Sequence, residues 1–334
     1  MAETVFYNVT EAPFEVFGVY EDKEKGGFRR LPAEVAEKVS PDVLRMSDHT
    51  AGGRVRFRTD SCKVVIRAKT EGGFMYHATP LMSRGFDLYV DYSYGHRLIG
   101  ATWLNPEGAD VEHTLWLDGK ENDVTVSFPL FGKVKELYIG LDEGATLGAH
   151  TPYTHKTPIV FYGSSITHGA CASRPGKCYE AIMSRKYDFD FINLGFSGSA
   201  KAEDAMVEYM SSLRMSAFVC DYDHNAPNVE YLRDTHHKMY KKIREKNPDI
   251  PYFMISKPDF RYEKDFFDRR AVIMQSYLDA WHAGDKNVYF IDGSAFSNGL
   301  DTCEFTVDSC HPTDEGFARM AAYIGDVLSK VMKI

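Results

Sequence analysis

Four short stretches of this chain hold residue types that together can carry out acyl transfer. They are Gly163-Ser164-Ser165-Ile166-Thr167-His168-Gly169, Gly195-Phe196-Ser197-Gly198, Asp221-Tyr222-Asp223-His224-Asn225 and Asp308-Ser309-Cys310-His311-Pro312. A serine hydroxyl is a weak nucleophile and needs an imidazole beside it to take its proton. The imidazole in turn needs a carboxylate to hold its tautomer and stabilise its charged form. Asp308 and His311, three apart, can meet that second need within one loop. The oxyanion that forms on attack needs donors held in place beforehand. The N–H groups of Ser165 and Gly198 and the amide of Asn225 are the candidates. Each residue has a plainer reading too. Ser165 alone could be a helix N-cap, Asn225 an Asx-turn residue, and His311 a solvated loop histidine. Ser197 is a rival nucleophile, since Gly195-x-Ser197 begins a G-x-S-x-G elbow, but Ser199 stands where its last glycine belongs. His168 is read as lining the pocket or lying in a solvated loop, His236 as a packed core histidine and His237 as surface.

Those stretches need elements to position them. From about Thr157, continuous apolar runs of strand length recur: 159–162, 191–194, 217–220, 252–255 and 288–291. Such runs suit strands buried on both faces of a parallel sheet. Between them lie helical stripes: Val229, Leu232, His236, Met239 and Ile243; Ile273, Tyr277 and Trp281; Phe317, Ile324, Leu328 and Val331. Alternating strand and helix predicts a doubly wound three-layer α/β domain, whose site lies beyond the carboxyl ends of the strands. The candidate residues follow those runs or precede the last helix. Earlier, short alternating runs such as 55–59, 64–66, 86–90, 115–117, 124–126 and 137–139 are separated by turn signals. They predict an antiparallel β-sandwich, with only 32–45 hinting at helix. The division is drawn at 1–152 and 153–334, with a linker in 144–157. Trp116 and Trp281 read as packing. Trp103 reads as packing, with stacking on a sugar ring as its alternative.

The chain has 334 residues, enough for two domains, and 44% hydrophobic with 26% charged residues fits a globular protein. Its net charge of −9 argues against nucleic acid. No run is long enough to span a membrane, and the first residues do not read as a secretory signal. Six cysteines without a zinc spacing suit reduced thiols, no metal and a cytoplasmic location.

The four stretches resemble the blocks of the SGNH (GDSL-type) hydrolases over about 155–334. The family's Ser, Gly, Asn and His fall on Ser165, Gly198, Asn225 and His311, with Asp308 three before the histidine. Two departures stand out: Ser164 replaces the Asp of Gly-Asp-Ser, and Asp221-Tyr222-Asp223-His224-Asn225-Ala226 replaces the usual Gly-x-Asn-Asp block. Gly85-Phe86-Asp87-Leu88-Tyr89 also resembles the Gly-x-Asp-Leu-Tyr signature of a β-sandwich, jelly-roll-like, that precedes some such domains. The pairing is similar to bacterial carbohydrate acetylesterases. It implies a cofactor-free serine esterase with the triad Ser165, His311 and Asp308, acting on acetylated manno- or xylo-oligosaccharides. From their own loop positions, His168 and Trp103 are the candidate further substrate contacts. A short-chain lipase or thioesterase and an inactive sugar-binding protein are the alternatives. Neither nucleic acid nor membrane is an expected partner, and a homo-oligomer is left open.

Overall fold

A computed structural model describes residues 3–73, 75–104, 108, 110–258, 264–297 and 302–334. The chain divides into two compact units, one formed by 1–30, 48–154 and 172–177, the other by 31–47, 155–171 and 178–334.

The first unit is built on two antiparallel sheets. One runs in the order Thr4–Asn8, Gly132–Asp142, Lys63–Gly72, Asp110–Trp116; the other Leu147–Gly148, Arg54–Thr59, Asn122–Ser127, Asp87–Tyr92, Gly95–Ala101. Alternate residues face the shared core, Val64, Ile66, Leu137 and Ile139 from the first, Val55, Phe57, Leu88, Val124 and Val126 from the second. That period of two makes the element a half-buried strand. The same alternation corrects the reading of Trp116: it points outward from Asp110–Trp116, the last strand of its sheet, and is 60% exposed. Trp103 is likewise not core. It is 80% exposed and stacks on His113 with ring centroids 5.2 Å apart.

Within this unit the Gly85–Tyr89 motif has a structural account. Phe86 and Leu88 are fully buried in the core. Asp87 and Tyr89 turn to the other face, where Asp87 Oδ2 accepts from Arg174 Nη1 and from the Gly176 N–H, each at 2.8 Å. Arg174 also donates to the Tyr89 hydroxyl. A Cβ on Gly176 would meet the Tyr89 ring at 2.6 Å, so glycine is required there. The motif therefore fastens 172–177 into the sandwich.

The second unit holds a parallel five-stranded sheet in the order Phe189–Gly195, His155–Gly163, Ala217–Asp221, Tyr252–Ile255, Val288–Ile291. Helices Asp204–Ser212, Val229–Lys246 and Phe266–His282 pack in succession, and Tyr179–Tyr187 packs with Asp314–Met332. Val160 and Tyr162 of one strand enter the core with the first group, whereas Phe161 between them meets Tyr179 edge to face. His236 lies fully buried on its helix, as its place in the apolar stripe predicts, and burial holds its imidazole down at about 3. Trp281 departs from the core reading: it is 38% exposed, with the Lys286 ammonium 3.7 Å from its ring centre. The hint at 32–45 becomes two short helices, Ala33–Val39 and Pro41–Met46, the second capped by the Ser40 hydroxyl on the Val43 N–H. Leu31, Ala36, Val43 and Met46 join the core of this second unit.

That placement has a testable consequence. Leu31 is fully buried, so Leu31→Ala should destabilise the α/β unit by ~2–5 kcal/mol. In a variant with Trp103 and Trp116 replaced by Phe, Trp281 fluorescence reports this unit during urea unfolding. An unchanged midpoint would show that 31–47 contributes nothing to its core.

Candidate active site

The strand order reverses at His155–Gly163, which pairs in parallel with Phe189–Gly195 on one side and Ala217–Asp221 on the other. This is the switch point of a doubly wound sheet, where the loops after neighbouring strands diverge and leave a crevice. Ser165 begins the four-residue helix Ser165–His168 directly after the first of these strands. The cap falls to Ser164, whose Oγ accepts the Ile166 N–H at 3.1 Å, so the N-cap reading of Ser165 is corrected. Two glycines allow the tight entry. A Cβ on Gly163 would lie 2.2 Å from Thr167 Oγ1, and one on Gly195 would lie 2.2 Å from the His168 backbone nitrogen. Gly169 closes the helix in the left-handed region, at φ +93°.

Ser165 Oγ lies 2.8 Å from His311 Nε2. On the other side of the ring, Nδ1 lies 2.8 Å from Asp308 Oδ2. The second carboxylate oxygen accepts the backbone N–H groups of Cys310 at 3.1 Å and His311 at 2.8 Å. Bringing those amides back onto Asp308 turns Ser309 into the left-handed region, φ +64°. Thr306 and Pro312 bridge the base of the loop, and the Thr313 hydroxyl caps the last helix behind it. Burial raises the Asp308 pKa, but the His311 amide and ring and the Cys310 amide outweigh it, so the carboxyl sits below its ordinary range. A depressed carboxyl pKa contributes stability above the unfolded value and loses it as pH falls through the folded one. The loop is therefore held intact at neutral pH.

The oxyanion candidates come from the adjacent loops. Gly198 occupies the left-handed region at φ +69°, on a turn closed by the Ser199 N–H on the Phe196 carbonyl. Asn225 ends the turn Asp223–Asn225, and its Oδ1 accepts the Ala200 N–H at 3.2 Å. That long-range bond replaces the Asx turn of the plainer reading, and with the oxygen committed the NH₂ end is left to donate. His168 is a correction. It is fully buried, and its Nδ1 accepts the Ser197 N–H at 3.4 Å, so it holds the second loop and has no surface for a substrate.

Other parts of the site are not foreshadowed in the sequence. Thr167 Oγ1 lies 3.2 Å from Asp221 Oδ2 and from the Tyr179 hydroxyl, while the Asp221 carbonyl accepts the Ser164 N–H. Asn193 donates to the Thr167 carbonyl and accepts the Gly195 N–H. Burial pushes the carboxyls of Asp221 and nearby Glu180 well above the ordinary carboxylate range. The only sequence signal is that Asp221 ends a strand and Asn193 interrupts one. Cys171 is also drawn into the site's field. Burial first, then Asp308 and Cys310, push its thiol up to about 12, which removes it as a competing nucleophile.

Residues 156–332 match the GDSL-like lipase/acylhydrolase family, and residues 4–147 match the GxDLY family, the N-terminus of SGNH-hydrolase-type esterases. The structure is similar to one described as a GDSL-like lipase from Bacteroides ovatus, with 27% identity, 99% of each chain covered and a TM-score of 0.87. It shares its fold with the salicylyl-acyltransferase SsfX3 of a tetracycline biosynthetic pathway (20% identity, 98% and 97% covered, TM-score 0.82). It also shares it with a family two carbohydrate esterase from Clostridium thermocellum in complex with cellohexaose (16% identity, 85% and 93% covered, TM-score 0.61). No curated protein matches the chain.

The strained residue of the histidine loop gives a local test. Ser309→Gly should leave thermal stability and the His311 ring environment intact, whereas Ser309→Val should cost ~1–3 kcal/mol at this positive φ. Melting curves and the His311 NMR signals would check both. Equal behaviour of the two variants would contradict the loop geometry.

Proposed function

Because the chain belongs to the GDSL-like lipase/acylhydrolase family, we propose that it is a serine esterase removing O-acetyl groups from carbohydrates. The reading is carried by one observation: a hydroxyl, an imidazole and a carboxylate in line, Ser165 Oγ to His311 Nε2 at 2.8 Å and His311 Nδ1 to Asp308 Oδ2 at 2.8 Å. Ser165 Oγ attacks the ester carbonyl carbon while its proton passes to His311 Nε2. Asp308 stabilises the imidazolium, and the N–H groups of Ser165 and Gly198 and the Asn225 amide receive the oxyanion. Collapse breaks the bond to the sugar oxygen, which leaves with the proton from His311. Water, deprotonated by the same imidazole, then attacks the acetyl-serine and releases acetate. No step asks for a cofactor.

A carbohydrate substrate is supported by the family two carbohydrate esterase that shares the fold and by the exposed Trp103, an aromatic face available to a sugar ring; acetylated manno- or xylo-oligosaccharides are the class proposed. An acetyl group offers an acyl pocket only a methyl, and each methylene discriminates by only ~1–3 kcal/mol. Selectivity must then come mainly from the sugar.

Ser165→Ala should lower kcat by roughly 10⁴-fold with the fold intact, while Ser197→Ala retains most activity. Aryl acetate hydrolysis measures both, and the reverse pattern would move the nucleophile to Ser197.

Acetate should leave acetylated manno- or xylo-oligosaccharides faster than butyrate or longer acyl groups leave their aryl esters. Preferential cleavage of octanoyl esters or acyl thioesters, with acetylated sugars untouched, would favour a lipase or thioesterase.

A further inference from the structure

Asn225 can serve an oxyanion only if its turn is held still, and the hydrogen bonds that hold it converge on one side chain. Arg269, in the helix Phe266–His282, is 7% exposed. Its Nη1 donates to the Asp223 carbonyl at 2.9 Å, and Nη1 and Nη2 both donate to the Ala226 carbonyl at 3.1 Å. Its Nε donates to Asp265 Oδ2 at 2.7 Å, which fixes the plane of the guanidinium from its own helix. The fully buried Asp223 carboxylate completes the arrangement. Oδ1 lies 3.5 Å from Arg269 Nη1, and Oδ2 accepts the Lys257 N–H, just past the strand Tyr252–Ile255, at 2.8 Å. Asn225 lies between the two carbonyls that the guanidinium grips.

We infer that Arg269 is a positioning residue for Asn225, an assignment that rests on the acyl-transfer reading above. A planar fork of donors can hold two carbonyls at once in fixed geometry, and a lysine ammonium, a point charge, cannot. The clamp sets the backbone on both sides of Asn225, while the Ala200 N–H sets its carboxamide. A donor displaced by about 1 Å from its productive place can cost ~10²-fold in rate. Arg269 touches neither substrate nor reacting atoms in this account and acts through Asn225.

The test is a double-mutant cycle in the full chain with an aryl acetate, measuring kcat, KM and Tm for Arg269→Gln, Asn225→Ala and the double variant. Arg269→Gln should lower kcat by ~10–100-fold with KM changed by no more than about twofold. In the Asn225→Ala background the same substitution should cost less than about threefold, since the donor it places is gone. Arg269→Lys keeps the charge but should still lose most of the rate, and it carries the cycle if Arg269→Gln does not fold. Additive losses, or a fall in Tm with kcat unchanged, would overturn the positioning role and leave Asn225 as the donor. Unchanged kcat in Asn225→Ala alone would overturn the oxyanion reading and the role of Arg269 with it.

Discussion

The hydrogen bond between Ser165 and His311 joins residues 146 positions apart at 2.8 Å, and most of the second unit can be understood as what keeps that distance. Neither residue can find the other locally. The serine is set by the switch point: His155–Gly163 lies between two parallel neighbours, and its last residue has no side chain, so the helix that follows packs directly over the Asp221 carbonyl. The histidine is set from the opposite end of the sequence by a loop folded around its own aspartate. Parallel pairing makes the first placement rigid, and the last helix, capped at Thr313, makes the second so. An imidazole held between a hydroxyl and a carboxylate needs little reorganisation when charge develops on it.

The cost of this arrangement appears beneath it. Asp221 and Glu180 are fully buried carboxyls, and Asp223 is buried beside an arginine. Asp221 accepts from Thr167 Oγ1 and Glu180 from the Asn193 amide, which ties both residues to the floor of the site. A network of this sort favours one arrangement of the loop that carries Ser165 at some expense in stability, since each buried polar group must find a partner. In the first unit, Asp87 plays a comparable part for 172–177, with Arg174 and the Gly176 amide as its partners.

The legible features were those that local pattern encodes. Five apolar runs bounded by turns indicate buried parallel strands, alternating runs indicate a sandwich, and Ser165 and Asp308-x-x-His311 stand out because acyl transfer needs their residue types in loops beyond strand ends. Burial of polar groups is not local. Asp221 looks like any acidic residue after a strand, and Arg269 like any helix-surface arginine, until the turn it grips is folded against it. His168 misleads for the same reason: a histidine in a glycine-flanked loop reads as accessible, but the following loop covers it. Trp116 and Trp281 show the converse error, aromatic residues placed by periodicity yet left at the margins of their elements. Residues 32–45 signal a helix, but no periodicity tells which core a short helix will join.

In the proposed reaction Ser165 becomes covalently acylated with His311 as its base. The direct measurement is labelling with a fluorophosphonate, which reacts preferentially with a serine activated in this way, followed by peptide mapping by mass spectrometry. A single adduct should form on Ser165 and be lost in His311→Ala while the protein stays folded. An adduct on Ser197, or labelling of Ser165 that persists without His311, would contradict it.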